Sequence, residues 1–134
     1  MKIKNVIAVS GEQGLYEIIT TKNNGLILKE PKSGKVKFYS VRIHQFTPME
    51  TVGIYTWTDT AEVKDIFATM HSSLDTLPVP SVKDDNTTLN KYFEQILPEY
   101  DRDRVYPSDI KKVIKWYNSM VDLGFIDLAD EEEE

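Results

Sequence analysis

Hydrophobic and polar positions follow two different periods along this chain, and the change of period falls near Trp57. Before it, apolar residues alternate in short runs bounded by turn residues. Leu15 to Thr21 is rich in β-branched and aromatic side chains, Asn23-Asn24-Gly25 makes a hairpin turn, and Leu26 to Glu30 returns from it. Pro31-Lys32-Ser33-Gly34 predicts a second turn and Lys35 to Ile43 another strand. Thr47-Pro48-Met49 interrupts the pattern, which Val52 to Trp57 resumes as a fourth strand. Upstream, Val6, Ile7 and Val9 close one end as a strand or a single helical turn. Leu26, Leu28, Val36 and Phe38 read as one face and Ile27, Tyr39 and Val41 as the other, so each face needs partial cover; the register stays open. Strands this brief fit a small SH3-like β-barrel or a bent meander.

From Asp59 the period becomes about 3.6. Asp59 and Thr60 offer N-caps, and Val63, Ile66, Phe67 and Met70 form one apolar stripe of a short helix. Ser72 to Asp85, with Pro78 and Pro80, reads as an extended connector. Asn86 or Thr87 then caps a second helix in which Leu89, Tyr92, Phe93, Ile96 and Leu97 follow helical spacing until Pro98 ends it. The third helix is the anchor. Pro107 suits its first position, Ser108 and Asp109 face the free amides of its first turn, and Ile110, Val113, Ile114, Tyr117 and Val121 recur along one stripe. Trp116, Met120 and Leu123 widen that stripe, so the helix must be covered on two sides. Gly124 ends it, with Phe125 and Ile126 folding back onto the last turn.

A net charge of -6 conceals an asymmetry. Residues 1 to 58 hold seven Lys and one Arg against four Glu, net +4, and residues 59 to 134 hold six Lys and two Arg against eighteen acids, net -10. Such a division fits two halves that attract each other, or a nucleic-acid face beside a shielding partner. The absence of cysteine excludes disulfides, thiolate zinc sites and cysteine nucleophiles, and it suits a reducing compartment. Five or so apolar residues after the first lysines are too few for a signal-peptide core, and nothing approaches the roughly 20 apolar residues of a membrane span.

Candidate chemistry is sparse. Ser10 to Gly14, SGEQG, lacks the lysine that follows the last glycine of a phosphate-binding loop, and a turn entering the first strand accounts for it. His44 and His71 have no second histidine at metal-ligand spacing, and His71 suits a helix C-terminus. Asp84-Asp85-Asn86 lacks the glycine and terminal Glu of a calcium loop. The run Glu99-Tyr100-Asp101-Arg102-Asp103-Arg104 concentrates ionisable groups between two helices, where they can satisfy free N–H and carbonyl groups rather than perform acid–base work. A helix-turn-helix reading fails because the connection between the second and third helices is long and acidic, and only Lys111, Lys112 and Lys115 lie on the reading helix. No glycines of a nucleophile elbow surround any serine.

Ser10-Gly11 with Gly14-Leu15-Tyr16, and the run from Leu97-Pro98-Glu99-Tyr100-Asp101-Arg102 through Val105-Tyr106 and Ser108 to Ile114 as far as Trp116-Tyr117-Asn118, resemble a family of short Bacteroidetes-lineage proteins catalogued as a domain of unknown function. The likeness spans roughly residues 1 to 127. It implies a bacterial cytoplasmic setting and carries no activity, ligand or catalytic residue with it.

The sequence therefore predicts an α+β protein: a small basic β unit over residues 1–58, a three-helix acidic unit over 59–128 packed on it, and a disordered acidic tail over 129–134. The leading functional expectation is a non-enzymatic cytoplasmic adaptor that binds an unidentified protein partner, with no cofactor, metal or membrane. A weak, salt-sensitive association with nucleic acid through Lys29, Lys32, Lys35, Lys37, Tyr39 and Arg42 is the alternative, and an enzyme with a dispersed active site comes third. Oligomeric state is left open.

Overall fold

In the computed structural model, which describes residues 1–126, strands β1 (Val6–Val9), β2 (Leu15–Lys22), β3 (Gly25–Lys29), β4 (Val36–Ser40) and β5 (Phe46–Pro48) form one antiparallel sheet in the order β4-β3-β2-β1-β5. A single 3₁₀ turn, Met49–Thr51, leads to a separate hairpin of β6 (Gly53–Tyr55) and β7 (Thr60–Glu62). Helices α1 (Val63–Ser72), α2 (Asn86–Ile96) and α3 (Pro107–Asp122) follow. The α+β plan is as expected, but the sheet is not closed into a barrel, because β4 and β5 remain edges.

It is nevertheless curled, and the chain's own connectivity explains why. The outer strands of a flat five-stranded sheet stand ~19 Å apart. Only the segment 41–45 joins β4 to β5, and it spends part of its length in a turn where the N–H groups of Ile43 and His44 both donate to the carbonyl of Ser40. With at most ~3.6 Å gained per extended residue, the connection is too short unless the edges bend toward each other. Ile7, Val9, Tyr16, Leu28 and Tyr39 fill the concave side as a small core of their own. His44 lies against Tyr39 and Phe46 with ring centroids 5.4 and 6.4 Å away, and its Nδ1 is 2.9 Å from the carbonyl oxygen of Ser10.

Register corrects the expected grouping of faces. Leu26 faces Tyr39 and Leu28 faces Lys37, whereas Ile27 faces Phe38 and Lys29 faces Val36. The assignment slips by one residue along β4 because the turn sets Glu30 against Lys35, with the N–H of Glu30 donating to the carbonyl of Lys35 over 2.8 Å. Both faces are in use, since Val6, Ala8 and Leu15 on the convex side pack into a larger core with Met49, Ile54 and the helices.

The strand expected over Val52 to Trp57 does not join the sheet. Its residues pair with β7 instead, and Asp59 and Thr60, read as helix caps, serve the hairpin. Thr56 N–H donates to the carbonyl of Asp59 over 2.9 Å and Asp59 N–H to Thr56 Oγ1 over 3.0 Å, so α1 starts only at Val63. Its stripe of Val63, Ile66, Phe67 and Met70 is buried as predicted. On α2 the cap is Asp85, one residue before the expected Asn86 and two before Thr87; its carboxylate accepts the Thr88 N–H over 2.8 Å, and bonding to the Thr88 hydroxyl first, with that N–H second, holds its pKa below the usual range. An ionised acceptor at the positive end of the helix outweighs a neutral amide or hydroxyl.

The third helix begins at Pro107 and ends before Gly124 as read, with Asp109 bonding the residue before the helix rather than an amide of its first turn. Asp109 accepts the Tyr106 N–H over 2.9 Å, Gly124 adopts φ +73°, and Phe125 N–H reaches back to the Met120 carbonyl over 2.8 Å. Ile110, Val113, Ile114, Tyr117 and Met120 are buried, while Val121 is 42% exposed and Trp116 only partly covered. Lys2 N–H donates to the Phe125 carbonyl over 2.6 Å, which stitches the first residues to the last turn. One cluster thus draws on the residues expected of both units, and the β6–β7 hairpin spans the boundary at 58/59. The tail expected over 129–134 lies outside the described residues, as do 127 and 128.

Phe67 is fully buried, so Phe67→Ala is expected to cost ~3–5 kcal/mol. Trp116→Ala removes a ring only partly withdrawn from water and is expected to cost about 1–2 kcal/mol. Urea denaturation of the two variants beside the parent protein measures both; equal losses would place Trp116 in the core.

Candidate protein-binding groove

The six residues read from the sequence as a nucleic-acid footprint do not converge. Lys29 and Lys37 lie on opposite faces of the sheet, because Lys29 faces Val36 and Lys37 faces Leu28. Lys32 is paired with Asp122 at 2.6 Å. Lys35 is in the turn before β4, and Arg42 lies beyond its other end, ~17 Å away at the rise of a strand. Tyr39 is 7% exposed, its ring 5.6 Å from that of Tyr16 within the concave core, so it offers no platform for a base. Only Lys37, 5.4 Å above that ring, keeps contact with it.

The other sequence candidates resolve into local structure. Gly11 and Gly14 both take positive φ in the turn entering β2, where Ser10 Oγ accepts the Gln45 N–H over 2.7 Å. His71, in the last turn of α1, has its Nδ1 2.8 Å from the Tyr117 hydroxyl. Asp84 accepts the Ser81 N–H over 3.1 Å. Among the described residues, no three of His, Asp and Glu gather closely enough to hold a metal ion.

The ionisable run Glu99 to Arg104 does more than join two helices. It lies along β6 as an added edge: Tyr100 bridges to Thr56, Trp57 N–H donates to the Glu99 carbonyl over 3.1 Å, and Asp101 N–H donates to the Tyr55 carbonyl over 2.9 Å. Asp101, 6% exposed, is the fastening. Its carboxylate accepts Arg104 Nε–H over 2.6 Å and the Asp103 N–H over 2.9 Å, and Arg104 Nη2 reaches the Thr56 carbonyl over 3.3 Å. The Arg104 guanidinium beside it holds this carboxyl below the usual carboxylate range. Arg102 donates to the carbonyls of Pro98 and Tyr100 and pairs with Glu94 at 3.1 Å.

These fixed arginines stack on aromatic rings. The Arg104 guanidinium is 4.2 Å from the centroid of Tyr55, and that of Arg102 is 4.1 Å from Tyr100 and 5.9 Å from Trp57. Tyr55, Trp57 and Tyr106 are 47, 53 and 59% exposed, which makes a rim of aromatic surface held rigid from beneath.

Beyond Tyr55 and Arg104 a hollow of about 200 Å³ opens against α3, with Ile54, Val105 and Val113 among its lining. Lys112 and Trp116 form its far wall and are also the near wall of a larger open cleft of about 880 Å³, which continues to the Ser10–Gly14 turn, Gln45, Lys115 and Asn118. Because Lys112 and Trp116 line both, the two meet at these side chains and follow one another along α3 as a groove. Along α3 it runs from Asp109 to Ser119, ~15 Å at the helical rise. Neither Lys112 nor Lys115 makes a salt bridge among the described residues. An apolar floor, one indole in mid-groove, two unengaged ammonium groups and several side-chain amides can hold a polypeptide segment.

Residues 52–120 match the model of a protein family described as Domain of unknown function (DUF6852). The chain belongs to this family. Those residues contain the β6–β7 hairpin, the Asp101 fastening and the α3 wall of the groove, and the five-stranded sheet precedes them. A solution NMR structure of a structural-genomics target from Bacteroides vulgatus is similar over nearly the full length: 27% identity, 98% of this chain, 96% of that one and a TM-score of 0.77. No curated protein matches the chain.

Sequence reasoning missed Tyr55 and Trp57, which read only as strand residues, and Trp116, which read as core. A signal was present in each case. Tyr55 and Trp57 are two residues apart and so share one side of an extended segment, and Trp116 lies off the stripe of Ile110, Val113, Ile114 and Tyr117.

Because folding favours the ionised form of Asp101, its contribution is present above the ordinary carboxylate pKa and is lost as pH falls through the lowered value. Asp101→Asn is therefore expected to be less stable than the parent at neutral pH, with the gap constant down to about pH 4 and closing below it. Urea denaturation across a pH series measures this; a gap that closed well above that pH would assign the effect to another group.

Proposed function

We propose that this protein is a non-enzymatic binding or adaptor module that holds a segment of a partner protein in the groove along α3. The observation that carries the reading is the continuity of that groove from Tyr55, past Trp116, to the Ser10–Gly14 turn. Tyr, Trp and Arg dominate the energetics of protein interfaces because they bury large area at small entropic cost, and here the arginines are already fixed by hydrogen bonds. A cytoplasmic setting belongs to the same reading and rests on the cysteine-free composition. Among the described residues no helix is long and apolar enough to cross a membrane. Nucleic-acid association through the basic strands has less support, since Tyr39 is buried and the lysines point to different faces.

The test is affinity capture of the intact tagged protein from native lysate, with and without nuclease, beside a Tyr55→Ala/Lys112→Glu variant. Both positions are exposed, so the variant keeps its circular dichroism spectrum. A captured protein that survives nuclease and is depleted roughly tenfold or more by the variant supports the reading, a loss of about 1.4 kcal/mol or more in affinity. Capture that collapses with nuclease, or that the variant leaves unchanged, overturns it.

A further inference from the structure

We propose that the free edge of β4 is a second docking site, one that takes an extended acidic polypeptide as an added strand. The inference goes beyond the α3 groove and is independent of it. In an antiparallel pair, successive residues direct their backbone groups alternately toward the partner strand and away from it. Glu30 N–H donates to the Lys35 carbonyl and Val41 N–H to the Asn24 carbonyl, so Lys35, Lys37, Tyr39 and Val41 point inward to β3. The N–H and C=O groups of Val36 and Phe38, and the N–H of Ser40, therefore point outward.

The other edge of the sheet is blunted where this one is not. Ser10 N–H donates to the Gln45 carbonyl, which by the same alternation turns Pro48 outward on β5, where it has no N–H to offer. On β4 the outward positions carry apolar side chains that are 56% exposed at Val36 and 39% at Phe38. Edge strands left open in this way are templates for strand addition, with main-chain hydrogen bonds supplying affinity and alternate side chains supplying selection.

Charge identifies the occupant. Lys29, Lys35 and Lys37 surround the edge and make no salt bridge among the described residues, with Glu30 the one carboxylate in the adjoining turn. A second copy of the chain is disfavoured, because symmetric pairing about Phe38 would bring the two Lys37 side chains to a diagonal separation of ~7–8 Å on one face. An extended segment with carboxylates at alternate positions meets the same lysines favourably.

The probe is a capped heptapeptide alternating valine with glutamate, titrated into the intact protein and followed by fluorescence anisotropy and residue-resolved amide exchange. In the free protein the amides of Val36, Phe38 and Ser40 are expected to exchange fast and those of Lys37 and Tyr39 slowly. Peptide should slow the first three roughly tenfold or more without changing the α3 groove. Val36→Pro removes one outward donor at the first residue of the strand, where proline is tolerated, and should weaken binding about tenfold while Lys37 and Tyr39 stay protected. Three results would overturn the proposal: no slowing at the outward amides, equal binding of a peptide with lysine in place of glutamate, or outward amides already protected in a free protein that sediments as a dimer. None of these bears on capture through the α3 groove, so the two readings fail separately.

Discussion

The fold depends on one four-residue strand being dry on both sides. Val6, Ile7 and Val9 of β1 are 0, 1 and 3% exposed, and successive residues of a strand face opposite ways. Ile7 and Val9 enter the concave core with Tyr16, Leu28 and Tyr39, while Val6 enters the helical core with Phe67, Phe93 and Ile114. A central strand with neighbours β2 and β5 has no exposed backbone edge either. The two cores are thus separated by a single thickness of chain, and the curl that fills one also sets the surface on which the helices build the other. A polar side chain at Val6, Ile7 or Val9 would face desolvation with no partner at hand.

The second constraint is electrostatic and more local. Asp101 ties the loop between α2 and α3 to β6 by accepting from Arg104 and from its own following turn, and Arg104 reaches across to Thr56. A charge placed at such a junction is costly to leave unpaired, which is why its removal says more about geometry than about the net value of the pair. The same guanidinium that satisfies Asp101 lies flat on Tyr55, so the stability of the loop and the shape of the groove's rim rest on one side chain. A rim ordered before any partner arrives loses less entropy on binding.

Legibility in the sequence followed the range of the interactions involved. Helices α2 and α3 were visible because their stripes, the proline at the first position of α3 and Gly124 are local signals. The face assignment on β4 slipped because one residue in the turn between Glu30 and Lys35 decides it, and composition does not reveal that count. The bonds of residues 55 to 57 with 99 to 101 join segments more than forty positions apart, and neither segment announces the other. The groove was hidden for the same reason: its walls come from the Ser10–Gly14 turn, β6 and α3, and Trp116 acquires its role only from where those elements meet.

The hydrogen bond from Lys2 to Phe125 also orders events in time. A ribosome adding about 5–20 residues per second presents Phe125 roughly 6–25 s after Lys2. Throughout that interval the convex side of the sheet, with Val6 and Leu15 on it, has no α3 to cover it. The nascent chain is thereby exposed to collapse onto the wrong surface or onto a neighbouring chain, and the native core closes only after α3 has been made, by a loop closure that spans residues 2 to 125.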